Sequence, residues 1–469
     1  MLTTQIAGIK EILKLALPII LSMASYTLIG FVDTWMVAQV GTEEIAAAMP
    51  AGIIAYTLTA FPLGITQCVS TFASQSLGRH SPGEGSKIAW QGLYMSVAIG
   101  LCVFVLWPVA PHFFWSFKHE PSVVVLETTY FRIRLFGVVF SVAVGALNGF
   151  FYGMHRPRIP LLAMVTANCV NIVLAYAMIF GEFGCPRLGL AGAAWAMVLS
   201  FAVQFAVLFV FFLSAPYAIA FQTRKSWRPC WPSCLQLLRV GWAAGFQMFM
   251  DVLGWGILII MMVGQFGKAH LAASNITIQY MTLSFMPAIG LGQALTAIVG
   301  RYIGEGKPDV ARTRAREAFF LTILYMTLVA GCVFLFRSSL ARVFTADPTV
   351  IEIASNLMMC AVLLQLFDGT GIVFAGALRG AGDTRWIAGL TTVLLLCVFT
   401  PLSVGSVLFT GLESLGPWIA GTVNVCLFSA GVWWRFSSGA WKRIDIFSVQ
   451  KDGTSDDTHS YERGGSTNV

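Results

Sequence analysis

Residues 15–40 read LALPIILSMASYTLIGFVDTWMVAQV, a run apolar throughout except for one carboxylate, Asp33. A membrane-spanning helix needs about 20 mostly apolar residues, so the stretch is long enough to cross a bilayer. A charge near mid-membrane costs about 2.5 to 3.5 kcal/mol even on the lenient insertion scale. A group that expensive usually faces a cavity and binds something; the plainer alternative is a carboxylate near a helix end, snorkelling or capping. Lys10 and Lys14 ahead of the run imitate a signal peptide, but the run is too long and carries Asp33, so it reads as a retained first helix.

The rest of the chain agrees. Of 469 residues, 57% are hydrophobic and only 11% charged, with a mean hydropathy of +0.76, which excludes a soluble globular protein. A transmembrane barrel would alternate in segments of about 10 residues. Here the apolar runs are far longer and are separated by short basic turns, the pattern of an all-α integral membrane protein. The net charge of +7 then records basic residues left on one membrane face, and no nucleic-acid partner is expected. The ten cysteines are scattered through apolar segments, apart from Cys230 and Cys234 in a basic loop, and suggest neither a zinc site nor a disulfide framework. No GxxxxGK[ST] loop, HExxH, GxSxG elbow or Cys/His cluster is present, so neither direct ATP drive nor an enzyme is expected, and no cofactor.

Apolar windows bounded by Gly, Pro and charge predict helices at about 12–38, 45–76, 88–110, 122–150, 159–181 and 189–213, then at 236–264, 271–300, 316–336, 350–377, 386–408 and 416–436. The expected division is an N-terminal six-helix lobe (1–213), a cytoplasmic linker (214–235), a C-terminal six-helix lobe (236–436) and a disordered cytoplasmic tail (437–469), Ser, Gly, Asp and Thr rich. Truncation after about Ser438 is on that reading harmless. The halves repeat: Pro62 and Pro287 are 225 residues apart, Gly78 and Gly304 226, Gly153 and Gly380 227. Six helices per repeat make the lobes parallel, related by a pseudo-twofold axis along the membrane normal. Alternate connections hold most of the Lys and Arg, among them Arg79, Lys87, Arg156, Arg158, Arg224, Lys225, Arg228, Arg301, Lys307, Arg379 and Arg385, while the opposite ones hold Lys118, Arg187, Lys268, Arg337 and Arg342. The basic face is cytoplasmic and carries both termini.

Two more carboxylates interrupt apolar helices, Asp251 and Asp368, both in the second half. Each is either protonated and holding helices together, or part of an oxygen-ligand cation site or proton acceptor with the amides Gln247, Gln279 and Gln365. Asn148, Asn168 and Asn171 stand in the same relation to Asp33, with packing as the plain alternative. Phe246, Met250, Trp255, Phe285, Met286 and Phe367 are mostly core or lipid-facing by this reading; those that line a central cleft would suit bulky, flat, cationic ligands through soft Met contacts and cation-π attraction.

These features together resemble the multidrug and toxic compound extrusion (MATE) transporters, and within them the NorM-like branch. The resemblance runs from about Lys10 to Arg435 and rests on ALPIILSM followed by FVDTWMVAQVG, the stretch from Leu63 to Arg79, NGFFYGMHRPRIP, the run from Asn171, FMDVLG, and FDGTGIVFAGALRGAGDTRW. It implies two six-helix lobes in a V, in a bacterial inner-membrane antiporter that exports organic cations in exchange for sodium ions or protons. It places Asp33 on the family's first-helix aspartate, Asp251 on a seventh-helix acid that is usually Glu, and Asp368 on a tenth-helix aspartate; Asp251 and Asp368 are then the candidate sodium ligands. Two departures stand out: Asp at 251 reaches one methylene less far, and Ala175 lies where many members place Asp or Asn. The partners expected are small organic cations and membrane lipid, with a monomer as the working unit. Competing readings are a lipid-linked oligosaccharide flippase, which would line its cleft with basic residues, and a non-transporting membrane receptor.

Overall fold

The computed structural model describes residues 2–115, 120–256 and 262–447. The described chain is helical and contains no strand. Six helices form the first lobe: α1 (Leu2–Ala38), α2 (Thr42–Gln67, resuming after Cys68 as Val69–Gly78), α3 (Pro82–Phe104), α4 (Pro121–Gly153), α5 (Arg158–Phe180) and α6 (Leu190–Leu213). Six form the second: α7 (Trp231–Gly256), α8 (Lys268–Gly304), α9 (Pro308–Phe344), α10 (Pro348–Ala381), α11 (Thr384–Phe409, with a π-helical turn at Leu395–Phe399) and α12 (Leu415–Ser438). All but α7 are long and apolar enough to cross a membrane. The apolar run that continues α7 in sequence, 257–261 with Met261, lies outside the described residues, as does Lys118.

Helix starts follow elementary rules. Pro82, Pro121, Pro308 and Pro348 each occupy a first turn, where the missing N–H costs nothing, and Asp347 caps α10 by accepting from the Thr349 amide at 2.9 Å. Apolar windows misjudged two helices. α9, expected at 316–336, runs from Pro308 to Phe344 because its first turns leave the bilayer and are polar: Arg314 pairs there with Glu317 at 2.9 Å and with Glu11 at 3.0 Å. α3, expected to reach 110, stops at Phe104, just before Pro108.

The two lobes exchange the bases of their first helices. Ile12, Leu15, Ala16 and Ile19 of α1 are buried among α8, α9 and α10 of the second lobe, while Met36 and Val37 at its far end pack with Ala175, Ile179 and Leu190 of the first. Helix α7 mirrors this: Leu237 and Ala244 join the first lobe's core, and Met250 packs on Leu395, Phe399 and Ala420 of the second.

The lobes meet on the face that carries the linker. There Thr71 donates to the Arg379 carbonyl at 2.8 Å and Gln75 to that of Gly380 at 3.0 Å, and Tyr302 of α8 donates to Glu11 of α1 at 3.0 Å. Lys307 and Arg301 both bond Glu305 on this face; against the effect of burial, these hydrogen bonds hold its carboxyl below the usual range, so it is ionised at neutral pH. Close contact requires small residues, the usual device of helix packing in lipid. A Cβ on Gly64 would lie 2.6 Å from the Gly245 Cα, and one on Gly78 2.1 Å from the Arg301 carbonyl oxygen. Gly78→Val therefore sets side chain against backbone, a strain of about 1 to 3 kcal/mol that depopulates the sealed state about 5- to 150-fold. Transport should fall by a similar factor with membrane insertion unchanged; a wild-type rate would show that the α2–α8 seal is not needed.

Two expectations about connections change. The linker expected at 214–235 ends earlier, where α7 begins at Trp231; residues 214–230 include a short helix, Ala215–Phe221, and are fastened to α3: Ser86 donates to the Phe221 carbonyl at 2.6 Å, Trp90 to that of Thr223 at 2.8 Å, and the Cys230 amide to Gln91 at 3.1 Å. The tail expected to be disordered from residue 437 is structured through Phe447, with Trp441, Ile446 and Phe447 buried; residues 448–469 lie outside the described ones. Three aromatic or aliphatic side chains in eleven residues were enough to pack, because the groove between the lobes supplies most of the apolar surface.

Candidate functional site

Asp33 is half-buried on the part of α1 that leaves the lobe interface for the first lobe's wall, and its Oδ1 is buried without a hydrogen-bond partner. Its charge is acted on by Arg134 of α4, a cation within the fourth apolar run. The guanidinium carbon of Arg134 lies 5.9 Å from the centre of the Tyr130 ring, and its Nη1 is buried and unpartnered. Among the described residues no ion pair within 4.0 Å joins Arg134 to Asp33. An acid and a base thus share one interior without closing on each other. Glu127, Arg132 and Arg134 were visible as charges inside the fourth apolar run, and the rule that flagged Asp33 applies equally to them.

The asparagines expected to serve Asp33 divide. Asn168 donates to the Ser25 carbonyl at 3.0 Å and to the Ser25 hydroxyl at 2.7 Å, tying α5 to α1. The side-chain oxygens of Asn148 and Asn171 are buried and unpartnered, so they remain available to a ligand. Ala175 is fully buried among Met36, Val37, Ala47 and Ile179, an apolar plug where a second carboxylate would otherwise stand.

In the second lobe Asp251 of α7 and Asp368 of α10 are near enough for their charges to interact. Gln247, one turn before Asp251, donates to its Oδ2 at 3.5 Å and accepts from Arg379 Nη2 at 3.1 Å. Arg379, assigned from sequence to a cytoplasmic turn, thus belongs to α10 and reaches the site through Gln247. Gln365 is 1% exposed, one turn from Asp368, and its Oε1 has no partner. Two carboxylates and a bare amide oxygen form a hard oxygen donor set. No group of three or more His, Cys, Asp or Glu that could hold a metal occurs among the described residues, so a cation held here depends on amide oxygens as well. Gln279 is exposed on α8, and no hydrogen bond ties it to this set.

Tyrosines connect the two half-sites. Tyr26 of α1 is acted on by Arg134 and Asp33, and Tyr56 of α2 by Tyr26 and Asp251. Both tyrosines are more than two-fifths exposed although they sit mid-helix, and each lies within electrostatic reach of one half-site, Tyr26 of Asp33 and Tyr56 of Asp251. The expected aromatic lining is only partly there. Phe367 and Trp255 are exposed, at 45% and 36%, and Phe246 and Met286 are half-buried. Met250 and Phe285, in contrast, pack against core clusters of the second lobe.

Arg134 and Arg379 accompany the three aspartates, so the interior charge is of both signs.

Comparison with known proteins agrees with this architecture. A probable multidrug resistance protein NorM of Thermotoga maritima is 28% identical over 448 residues, covering 94% of this chain and 95% of the relative. A solved structure described as the outward-facing conformation of a multidrug resistance MATE family transporter superposes with a TM-score of 0.85 at 21% identity, over 93% of this chain and 97% of its own. The eukaryotic MATE transporter AtDTX14 gives the same TM-score at 17% identity, over 96% and 99%. These solved structures establish the fold, two six-helix lobes in a V. The MatE family model matches twice, at residues 18–177 and 244–404. The two starts are 226 residues apart, the displacement that the proline and glycine landmarks keep, and on that doubled match the chain belongs to the MatE family.

Proposed function

We propose that the protein is a secondary-active multidrug exporter that exchanges organic, mostly cationic compounds for an inward-moving sodium ion or proton. The observation that carries this reading is the pairing of half-sites: Asp33 in one lobe, Asp251 with Asp368 in the other, on a single cleft closed at the linker face. The curated relatives named as multidrug resistance proteins support it. By the positive-inside rule the linker face is cytoplasmic, in a bacterial inner membrane, with both termini inside. Coupling arises when the ion and the substrate favour opposite-facing states, so that each weakens the binding of the other. The ion is held in the second lobe by Asp251, Asp368 and Gln365, and the substrate cation is drawn to Asp33, Tyr26 and Tyr56. The shorter reach of Asp at 251 leaves more of the ion's coordination to the unpartnered oxygen of Gln365. The working unit is a single chain, and it carries out no covalent chemistry.

Arg134 favours a second reading, in which the cargo carries an anionic group, as a lipid-linked oligosaccharide does. Everted vesicles separate the two. Organic cation movement driven by an imposed sodium or proton gradient, each applied alone, is the expected result, and the effective gradient names the ion. Vesicles that move a lipid-linked pyrophosphate and no organic cation would sink the exporter reading; vesicles that move neither would leave a receptor.

A further inference from the structure

The nine residues after α12 join the two lobes on the linker face. Gly439, at φ 75°, ends α12 and turns the chain, a left-handed conformation that glycine adopts without strain. Trp441 is then fully buried, stacked 5.0 Å from Phe436 with the rings nearly parallel, and its Nε1 donates to the Phe436 carbonyl at 2.8 Å. Lys442 Nζ donates to Asp309 of α9 at 2.7 Å. Residues 440–443 are therefore seated on the second lobe.

A few residues further on, the chain is seated on the first. Phe447 meets Phe72 of α2 edge to face at 5.6 Å, under the guanidinium of Arg79 at 4.4 Å. Asp445 accepts from Arg79 Nη2 at 2.9 Å and from the Phe447 amide at 3.0 Å. Ile444 packs against the cores of both lobes, and Ile446 fills the space over Gly382, where a Cβ would come within 2.4 Å of it.

We propose that residues 439–447 are a strap that holds the linker face shut and must release one lobe before the chain can open there. A segment bonded to both lobes stabilises only the state in which both anchors are within its reach. From Trp441 to Phe447 that reach is at most about 20 Å even fully extended. The first-lobe anchor is the one that lets go: residues 439–447 continue covalently from α12 of the second lobe, where Trp441 is enclosed and stacked on Phe436, whereas the first lobe holds them through side-chain contacts at Arg79 and Phe72. The inference rests on the fold and not on what is exported.

The test measures the distance between spin labels on Arg158→Cys and Arg385→Cys, in a full-length chain whose native cysteines are replaced. Both residues are exposed, at the linker-face starts of α5 and α11, and they occupy equivalent places in the two repeats. The parent should show one short distance. Phe447→Ala with Asp445→Asn, which leaves Trp441 in place, should raise a longer-distance population severalfold, and truncation after Ser438 should raise it further. A second measurement does not depend on how the truncated chain folds: joining Arg79→Cys to Asp445→Cys with a reducible cross-linker should arrest export until the link is cut. An unchanged distance distribution in the double variant, or undiminished export by the cross-linked protein, overturns the strap.

Discussion

Asp33→Asn is expected to abolish export and also to destabilise the folded protein, while adding Arg134→Gln returns the stability without the export. Asn keeps the shape of the side chain and removes only its charge, so lost export reports on the charge. The instability has a separate cause. Arg134 acts on Asp33 from within the same interior, and with the carboxylate gone a guanidinium remains uncompensated among apolar helices, at a cost of about 2.5 to 3.5 kcal/mol. Thermal unfolding in detergent should drop by roughly 3 °C in the single variant and recover in the double. Full drug resistance in cells carrying Asp33→Asn would remove Asp33 from the mechanism. A single variant as stable as wild type would instead show that the two charges do not depend on each other.

The next largest effect is expected in the second lobe, where Asp251→Asn, Asp368→Asn and the double variant should each lose ion-coupled export to a similar degree. If the two carboxylates hold one ion, removing either ligand destroys the site, and removing the second adds nothing. The structure supports joint action: the charge of Asp251 acts on Asp368, Gln247 bonds Asp251, and Gln365 carries a buried, unpartnered oxygen one turn from Asp368. Independent groups would give multiplying defects, so two separate tenfold losses would become about a hundredfold loss in the double variant, or about 2.8 kcal/mol against 1.4 for each single change. The measurement is the initial rate of ion-driven efflux in reconstituted vesicles for all four proteins, across pH 6 to 8. Multiplying defects, or normal transport by Asp251→Asn, would end the shared-site idea and leave Asp33 as the coupling group.

Much of this architecture is written into the chain because a bilayer is a demanding solvent. Length and hydropathy alone dictate helices, since every backbone polar group must be satisfied within its own segment. The repeat is legible because Pro62 and Pro287, or Gly78 and Gly304, serve equivalent places in two copies of one unit; and Asp33, Asp251 and Asp368 are conspicuous because a carboxylate in such a run is expensive. Tertiary structure decided what depends on residues far apart in sequence. It brought Arg134 within electrostatic reach of Asp33 and Arg379 to Asp251 through Gln247, and it packed Met250 and Phe285 onto core clusters of the second lobe. It also took a polar tail that no local pattern marks as structured and seated Trp441 and Phe447 on opposite lobes. A hydropathy window sees only the residues inside it, so it registers what a helix must be in lipid; which of its faces meets another helix, a cleft or the end of the chain is settled by packing between segments hundreds of residues apart.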